Sequence, residues 1–318
     1  MNFRGQWFDN SLPGGSVRYN DLWGYSDGNR DYALMGSRQY VHFIEVTNAG
    51  APIERARIGG GANTTWRDIK TYQNYAYAVS ESSEGLLVFD LSGLPNTVTL
   101  TAQLDTVFTS AHNLFIDGGF AYIVGAPRNT GRDLIIYDLR STPQNPTHWG
   151  SFALPNGYAH DIFVDGSIAY ASHEGRGLSV YDLQNTISPM GGVPLAPVEL
   201  GRIDSYFNPG YNHSSWAVGN LMVMADETHG SPLSLVDISD YETMTEISYF
   251  ISNLLGVSEP YSGDGPIVHN PFLVGNLCYV SHYHDGVVVF DISNPTNVEI
   301  AAYYDTEPDN TDFSGYQG

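Results

Sequence analysis

"HNLFIDGGFAYIVG" (His112–Gly125) and "HDIFVDGSIAYASH" (His160–His173) are nearly one line of sequence written twice, roughly fifty residues apart. Each reads as a short apolar strand, an Asp-Gly turn and a second apolar strand. Each also opens on a histidine that a strand does not need. The opening recurs as "NDLW" at Asn20, "RDIK" at Arg67, "HSSW" at His213 and "HNPF" at His269. A second anchor follows in every copy: "FIEV", "VFDL", "IYDL", "VYDL", "LVDI" and "VFDI", whose acidic residues are Glu45, Asp90, Asp138, Asp182, Asp237 and Asp291. Two independent anchors holding one period identify a repeat protein.

Between the anchors the grammar is constant. A first strand turns through "DGG", "DGS" or "VGN" into a second, a polar Gly-bearing hairpin leads to the apolar third strand, and a Pro/Asn/Ser connector leads to a weaker fourth. Four strands in about fifty residues is the size of a β-propeller blade. The fold expected is therefore all-β: a propeller of four-stranded blades filling residues 1–318 as a single domain, with six repeats visible and seven blades in the full-length parent. The tail "FSGYQG" (Phe313–Gly318) stands where a seventh first strand would begin, and "FRGQWFDNSLP" (Phe3–Pro13) is long enough to add one strand. The nearly continuous apolar third strand predicts burial on both faces. The acidic residue that closes it is expected to accept backbone NH groups of the next turn.

Composition narrows the function. Hydrophobic residues make up 42% of the 318, enough for a substantial core, and 22 Tyr, 14 Phe and 34 Gly suit short strands and tight turns. Only 13 Lys and Arg face 35 Asp and Glu, a formal charge of −22. Such a surface repels phosphate backbones and anionic lipid, which argues against a nucleic-acid partner. It is compatible with metal ions and neutral sugars, so a small molecule or a glycan is the partner expected. Oligomeric state has no signature here. No run of 18 apolar residues predicts membrane insertion. Cys278, the only cysteine, reads as a buried strand residue. The start "MNFRGQWFDN" has no apolar segment of the signal-peptide kind.

The blocks "YNDLWGY", "WRDIKTYQNYAYAVSE", "AHNLFID", "YAHDIFV", "YNHSSW", "ADETHG", "VHNPF", "SHYHDGVVVFDISNP" and "YYDTEP" together resemble the bacterial LVIVD-repeat propellers known as the choice-of-anchor B family. The resemblance spans about residues 5–318. It implies an extracellular or cell-surface propeller, made with a signal peptide and attached through a C-terminal sorting domain. Neither is written in these residues, so the chain is expected to be part of a longer protein. The resemblance implies no catalytic assignment.

In a propeller the first strands line a central channel, so Asn20, Arg67, His112, His160, His213 and His269 would form one polar tier, and Asp21, Asp68, Asn113, Asp161, Ser214 and Asn270 a second. The hairpin after each second strand should lie near the same mouth, bringing Glu174, Glu227, His173, His229, His282 and His284. Imidazole and carboxylate in a walled mouth suit a transition metal, Zn first, then Cu, Fe or Ni. The ligand set expected is His112, His160, His213, His269, His173, His229, His282 and His284. With an open metal position the site would be a metal-dependent hydrolase, with Glu174 or Glu227 as general base and Arg67 holding an anionic group. Calcium is the second ion considered, through the oxygen-rich "YDTEPDNTD" (Tyr304–Asp312).

The opposing reading makes the same residues blade-joining polar groups in a non-catalytic module that binds a glycan or protein. Repetition favours it, whereas variation among the hairpins favours a site. "GYSDG" (Gly24–Gly28) matches a nucleophile elbow in letters but lacks the strand-to-helix setting.

Overall fold

The computed structural model describes residues 1–13, 17–59, 63–254, 265–306 and 308. Every repeat is one antiparallel sheet of four strands, hydrogen-bonded in chain order. The chain divides into two compact units, Phe3–Leu154 and Pro155–Gly318, the second joined by Met1–Asn2.

The N-terminal unit holds three sheets. The first is β1 (Tyr19–Ser26), β2 (Asp31–Ser37), β3 (Tyr40–Glu45) and β4 (Ile53–Gly59). The second is β5 (Arg67–Tyr72), β6 (Tyr75–Ser80), β7 (Leu86–Asp90) and β8 (Thr99–Leu104). The third is β9 (Asn113–Asp117), β10 (Phe120–Val124), β11 (Leu134–Asp138) and β12 (Thr147–Phe152).

The C-terminal unit repeats the plan. Its first sheet is β13 (Asp161–Asp165), β14 (Ile168–Ser172), β15 (Leu178–Asp182) and β16 (Val198–Ile203). Next come β17 (Asn212–Val218), β18 (Leu221–Asp226), β19 (Leu233–Asp237) and β20 (Thr245–Phe250), then β21 (Val268–Val274), β22 (Leu277–His282), β23 (Gly286–Asp291) and β24 (Glu299–Tyr304). Among the described residues the helical structure is one turn, α1 (Gln184–Ile187), and a 3₁₀ turn at Tyr241–Thr243.

The strand chemistry explains the packing. Third strands β7, β11, β15 and β19 are buried at their first four positions, as two-sided coverage requires. Fourth strand β8 is largely exposed and β24 alternates exposed with half-buried positions, so these bury least. Neighbouring sheets interlock through their apolar faces. Tyr77, Val79, Leu86 and Val88 pack with Leu114, Ala121 and Ile123, while Phe250 meets Phe290 edge to face at 4.8 Å. Each of the buried Val, Leu, Ile and Phe side chains contributes roughly 1.5–3 kcal/mol of burial free energy.

Between third and fourth strands the register slips once in all six sheets, for instance at Val88/Phe89, Val180/Tyr181 and Val289/Phe290. A bulge at the same place in every copy bends and twists each sheet alike. The hairpin glycine before the third strand is equally constrained. Gly177 has φ +78°, and a Cβ there would sit 2.2 Å from the Ile203 carbonyl oxygen.

The acidic closers behave as the sequence predicts. Asp90, Asp138, Asp182, Asp237 and Asp291 each accept the backbone NH two residues on, at 2.7–2.9 Å. Glu45, one methylene longer, instead pairs with Arg55 at 2.7 Å. The tier at Asp21, Asp68 and Ser214 joins sheets. Asp21 accepts Ile69 NH at 2.9 Å, Asp68 accepts Leu114 NH at 2.6 Å, and Ser214 Oγ donates to the His269 carbonyl at 2.6 Å.

One expectation meets a different outcome, one is met and one lies outside the described residues. Residues 1–9 form no strand; Trp7 packs against Tyr19 and His42 at 5.7 and 5.1 Å, so aromatic burial holds this segment instead of a ladder. At "GYSDG" no helix follows β1, and Ser26 Oγ donates to the Arg30 carbonyl. The expected seventh first strand at 313–318, and all of the acidic stretch 304–312 past residue 306 except 308, lie outside the described residues. No described helix is long and apolar enough to cross a membrane.

Candidate metal centre

The three histidines that head the sheets of the C-terminal unit come together. His160 and His213 lie with ring centroids 4.5 Å apart, and His213 and His269 at 4.1 Å. Backbone irregularity aims two of them. The β17–β18 register shifts between Asn212 and Ser214, leaving His213 at the shift, and β21–β22 shifts between Val268 and Pro271, around His269. Bulges re-aim side chains in this way. Three residues further along, Phe163, Trp216 and Phe272 form a second row with centroids 4.6 and 4.9 Å apart, which fixes the spacing of the strands beneath the imidazoles.

Two hairpin carboxylates join the row. Glu227 Oε2 stands 3.8 Å from His213 Nε2, while its Oε1 accepts the Tyr283 hydroxyl at 2.8 Å. One ligand atom each from His213, Glu227 and His269 lie within 4.8 Å of one another, which is the spacing for a shared ion. Glu174 Oε1 accepts the Tyr211 hydroxyl at 3.0 Å, and that hydroxyl lies 2.9 Å from His160 Nδ1. Glu174 is pinned by its backbone, which exchanges NH and carbonyl with Asn212, and it adopts φ 59° at the tip of its turn. Burial, then the Glu174 charge, pushes the Tyr211 phenol well above its ordinary value, so it keeps its proton at neutral pH.

The other predicted residues have partners of their own. His173 is fully buried, with Nδ1 at 2.9 Å from the Tyr158 carbonyl and Nε2 at 3.0 Å from the Tyr181 hydroxyl, so both nitrogens serve the fold. His229 bonds the Gly265 carbonyl at 3.1 Å and stacks on His284 at 5.9 Å. His282 is buried 3.8 Å from Asp285, and burial, then His284, holds its imidazole down to about 3. In the N-terminal unit, His112 pairs with Glu81 at 2.8 Å. Arg67 is buried and paired with Glu84 at 2.5 Å, which commits its guanidinium to the sheet and not to an anionic ligand.

Tyr211 and Tyr283 are the residues that sequence reasoning missed. A signal existed in Tyr-x-His, at Tyr158–His160 and Tyr211–His213, and in "HYH" at His282–His284. It was hidden because a tyrosine in a strand-rich chain reads first as core.

A family model, the LVIVD repeat, matches residues 272–306. No curated protein matches the chain. Among solved structures the chain is similar to the Pseudomonas aeruginosa periplasmic gluconolactonase PpgL, with TM-score 0.62 and 13% identity over 91% of this chain and 83% of that one. It is also similar to the computationally designed Ika8 protein, with TM-score 0.58 and 10% identity over 93% and 77%. At such identities the likeness concerns the fold. Six four-stranded meanders, a repeat-family match and two solved folds agree: the chain is an all-β propeller that carries an LVIVD repeat.

Proposed function

We propose that the C-terminal unit binds a divalent transition metal, Zn first, through His213, Glu227 and His269, and that the protein is an extracellular metal-dependent hydrolase. The observation that carries this reading is the grouping of two imidazole nitrogens and a carboxylate oxygen within 4.8 Å. Two nitrogens and one oxygen form the ligand set of open zinc sites, whereas calcium calls for oxygen almost throughout. An ion there supplies Lewis-acid polarisation and water activation.

The residues divide the labour. Glu227 acts as a ligand and not as the free base first assigned to it, because its two oxygens face His213 and Tyr283. Half-buried His269 leaves one side of the group accessible. Lactones are the first substrate class to try, since a similar fold is that of a gluconolactonase. The extracellular setting rests on the LVIVD repeat.

Metal content by plasma mass spectrometry, on chain purified without chelator, tests the proposal. Near-stoichiometric Zn that disappears in His213→Ala, together with lactone hydrolysis lost in the same variant, is the expected result. A folded, metal-free protein would overturn it in favour of a non-catalytic module that binds a glycan or protein.

A further inference from the structure

The metal reading leaves two tyrosines unexplained, and both touch the histidine row in the same manner. Tyr211 stands edge-on to His160 at 5.1 Å and Tyr283 packs on His269 at 4.9 Å. Each hydroxyl also bonds the glutamate of the preceding sheet's hairpin: Tyr211 bonds Glu174 at 3.0 Å, and Tyr283 bonds Glu227 at 2.8 Å. Tyr211 therefore links Glu174 to His160 of the same sheet, and Tyr283 links Glu227 to His269 of the next.

The proton count at Tyr211 gives this arrangement a direction. A phenol has one proton to donate, and a carboxylate can only accept. The Tyr211 proton therefore goes to Glu174 Oε1. His160 Nδ1, 2.9 Å away, must then be the donor to the phenolic oxygen. A neutral imidazole that carries its proton on Nδ1 presents a lone pair on Nε2. At Tyr283 the consequence falls on the carboxylate. Oε1 of Glu227 is engaged, and Oε2, 3.8 Å from His213 Nε2, is the oxygen left to a shared ion.

We propose that Tyr211 and Tyr283 are positioning residues of the metal centre: Tyr211, backed by Glu174, sets His160 as the Nδ1–H tautomer with Nε2 offered as a further ligand beside His213, and Tyr283 orients Glu227. The proposal rests on the metal reading for its purpose, but the tautomer exists without metal. Partners of this kind fix ring orientation and raise ligand basicity in metal sites. Glu174 is thereby a positioning group, its Oε1 taken up by the phenol and its Oε2 4.0 Å from Arg176.

The test uses the full chain labelled with ¹⁵N-histidine, with His160 assigned by its disappearance in His160→Gln. In metal-free protein, nitrogen shifts should show His160 as Nδ1–H, and Tyr211→Phe and Glu174→Leu, which remove the phenol and its acceptor, should each abolish that preference. Tyr211→Phe keeps the ring packing, and melting curves in EDTA verify that the variants fold. Titrated with Zn²⁺ alone, Tyr211→Phe and Tyr283→Phe should each bind about 10- to 100-fold more weakly. An Nε2–H tautomer in the wild type, or a tautomer indifferent to Tyr211→Phe, would overturn the assignment of Tyr211. Undiminished Zn²⁺ affinity in Tyr283→Phe would overturn that of Tyr283. A wild-type chain that binds no Zn²⁺ yet shows the Tyr211-dependent tautomer would sink the metal reading and uphold the tyrosine's control of His160.

Discussion

The two units put one repeat position to opposite uses. In the N-terminal unit, Asn20 donates to the Thr65 carbonyl at 2.8 Å, Arg67 is paired with Glu84, and His112 with Glu81. Each is bonded within its own or the neighbouring sheet. In the C-terminal unit the same position holds His160, His213 and His269, which pack on one another with two carboxylates beside them. A repeat supplies equivalent places. The residue put there decides whether a place joins sheets or gathers ligands.

The contrast makes the N-terminal position a stability element, and the largest effect is expected there. Arg67→Ala should destabilise by roughly 3–5 kcal/mol, because it leaves the Glu84 carboxylate buried with the Ser80 hydroxyl as its remaining hydrogen bond in the sheet. Thermal unfolding would show this, and a melting temperature close to wild type would mean the pair is dispensable.

A second effect appears on acidification of the C-terminal unit. The unfolded chain protonates His282 near its ordinary 6.5, whereas the folded chain resists until about 3. Stability therefore falls as pH drops through that window. Asp285, whose carboxyl is pushed up by burial, acts in the opposite sense just above the ordinary carboxylate range. Urea midpoints at pH 7 and pH 4.5 should show a clear loss in the wild type and a smaller one in His282→Leu. Equal losses would show that His282 does not set the acid sensitivity.

The smallest effect belongs to elements common to both units. Asp182→Ala removes one bond to Gln184 NH and should cost about 1 kcal/mol, as should the same change at other closers with a similar half-buried setting. A loss several times larger would give these turns a role that their geometry does not suggest.

Legibility followed the same division. The strand order, the two-sided burial of third strands and the turn bonds of the acidic closers were all readable, because each depends on residues a few positions apart. The tier at Asp21, Asp68 and Ser214 was visible as a pattern, and joining sheets was one of the two roles read for it; the structure shows those bonds. The candidate site was half legible. His160, His213, His269, Glu174 and Glu227 were named and meet in one unit, while His173, His282 and His284, equally close in sequence, are buried, and His229 is exposed beside the Gly265 carbonyl. A strand hairpin sends adjacent residues to opposite sides, so His173 and Glu174 part company although they are neighbours.

The sequence alone determined the repeat, its period, the all-β class and the residue types gathered at the heads of the first strands, since periodic burial is encoded locally. Only the tertiary structure decided which imidazoles meet, which carboxylate oxygen is left for an ion and which tyrosines hold them. Those outcomes depend on register shifts at His213 and His269 and on contacts between residues some fifty positions apart, such as Tyr211 with His160 and Tyr283 with Glu227. A one-residue slip re-aims a side chain without altering the pattern that predicts its strand.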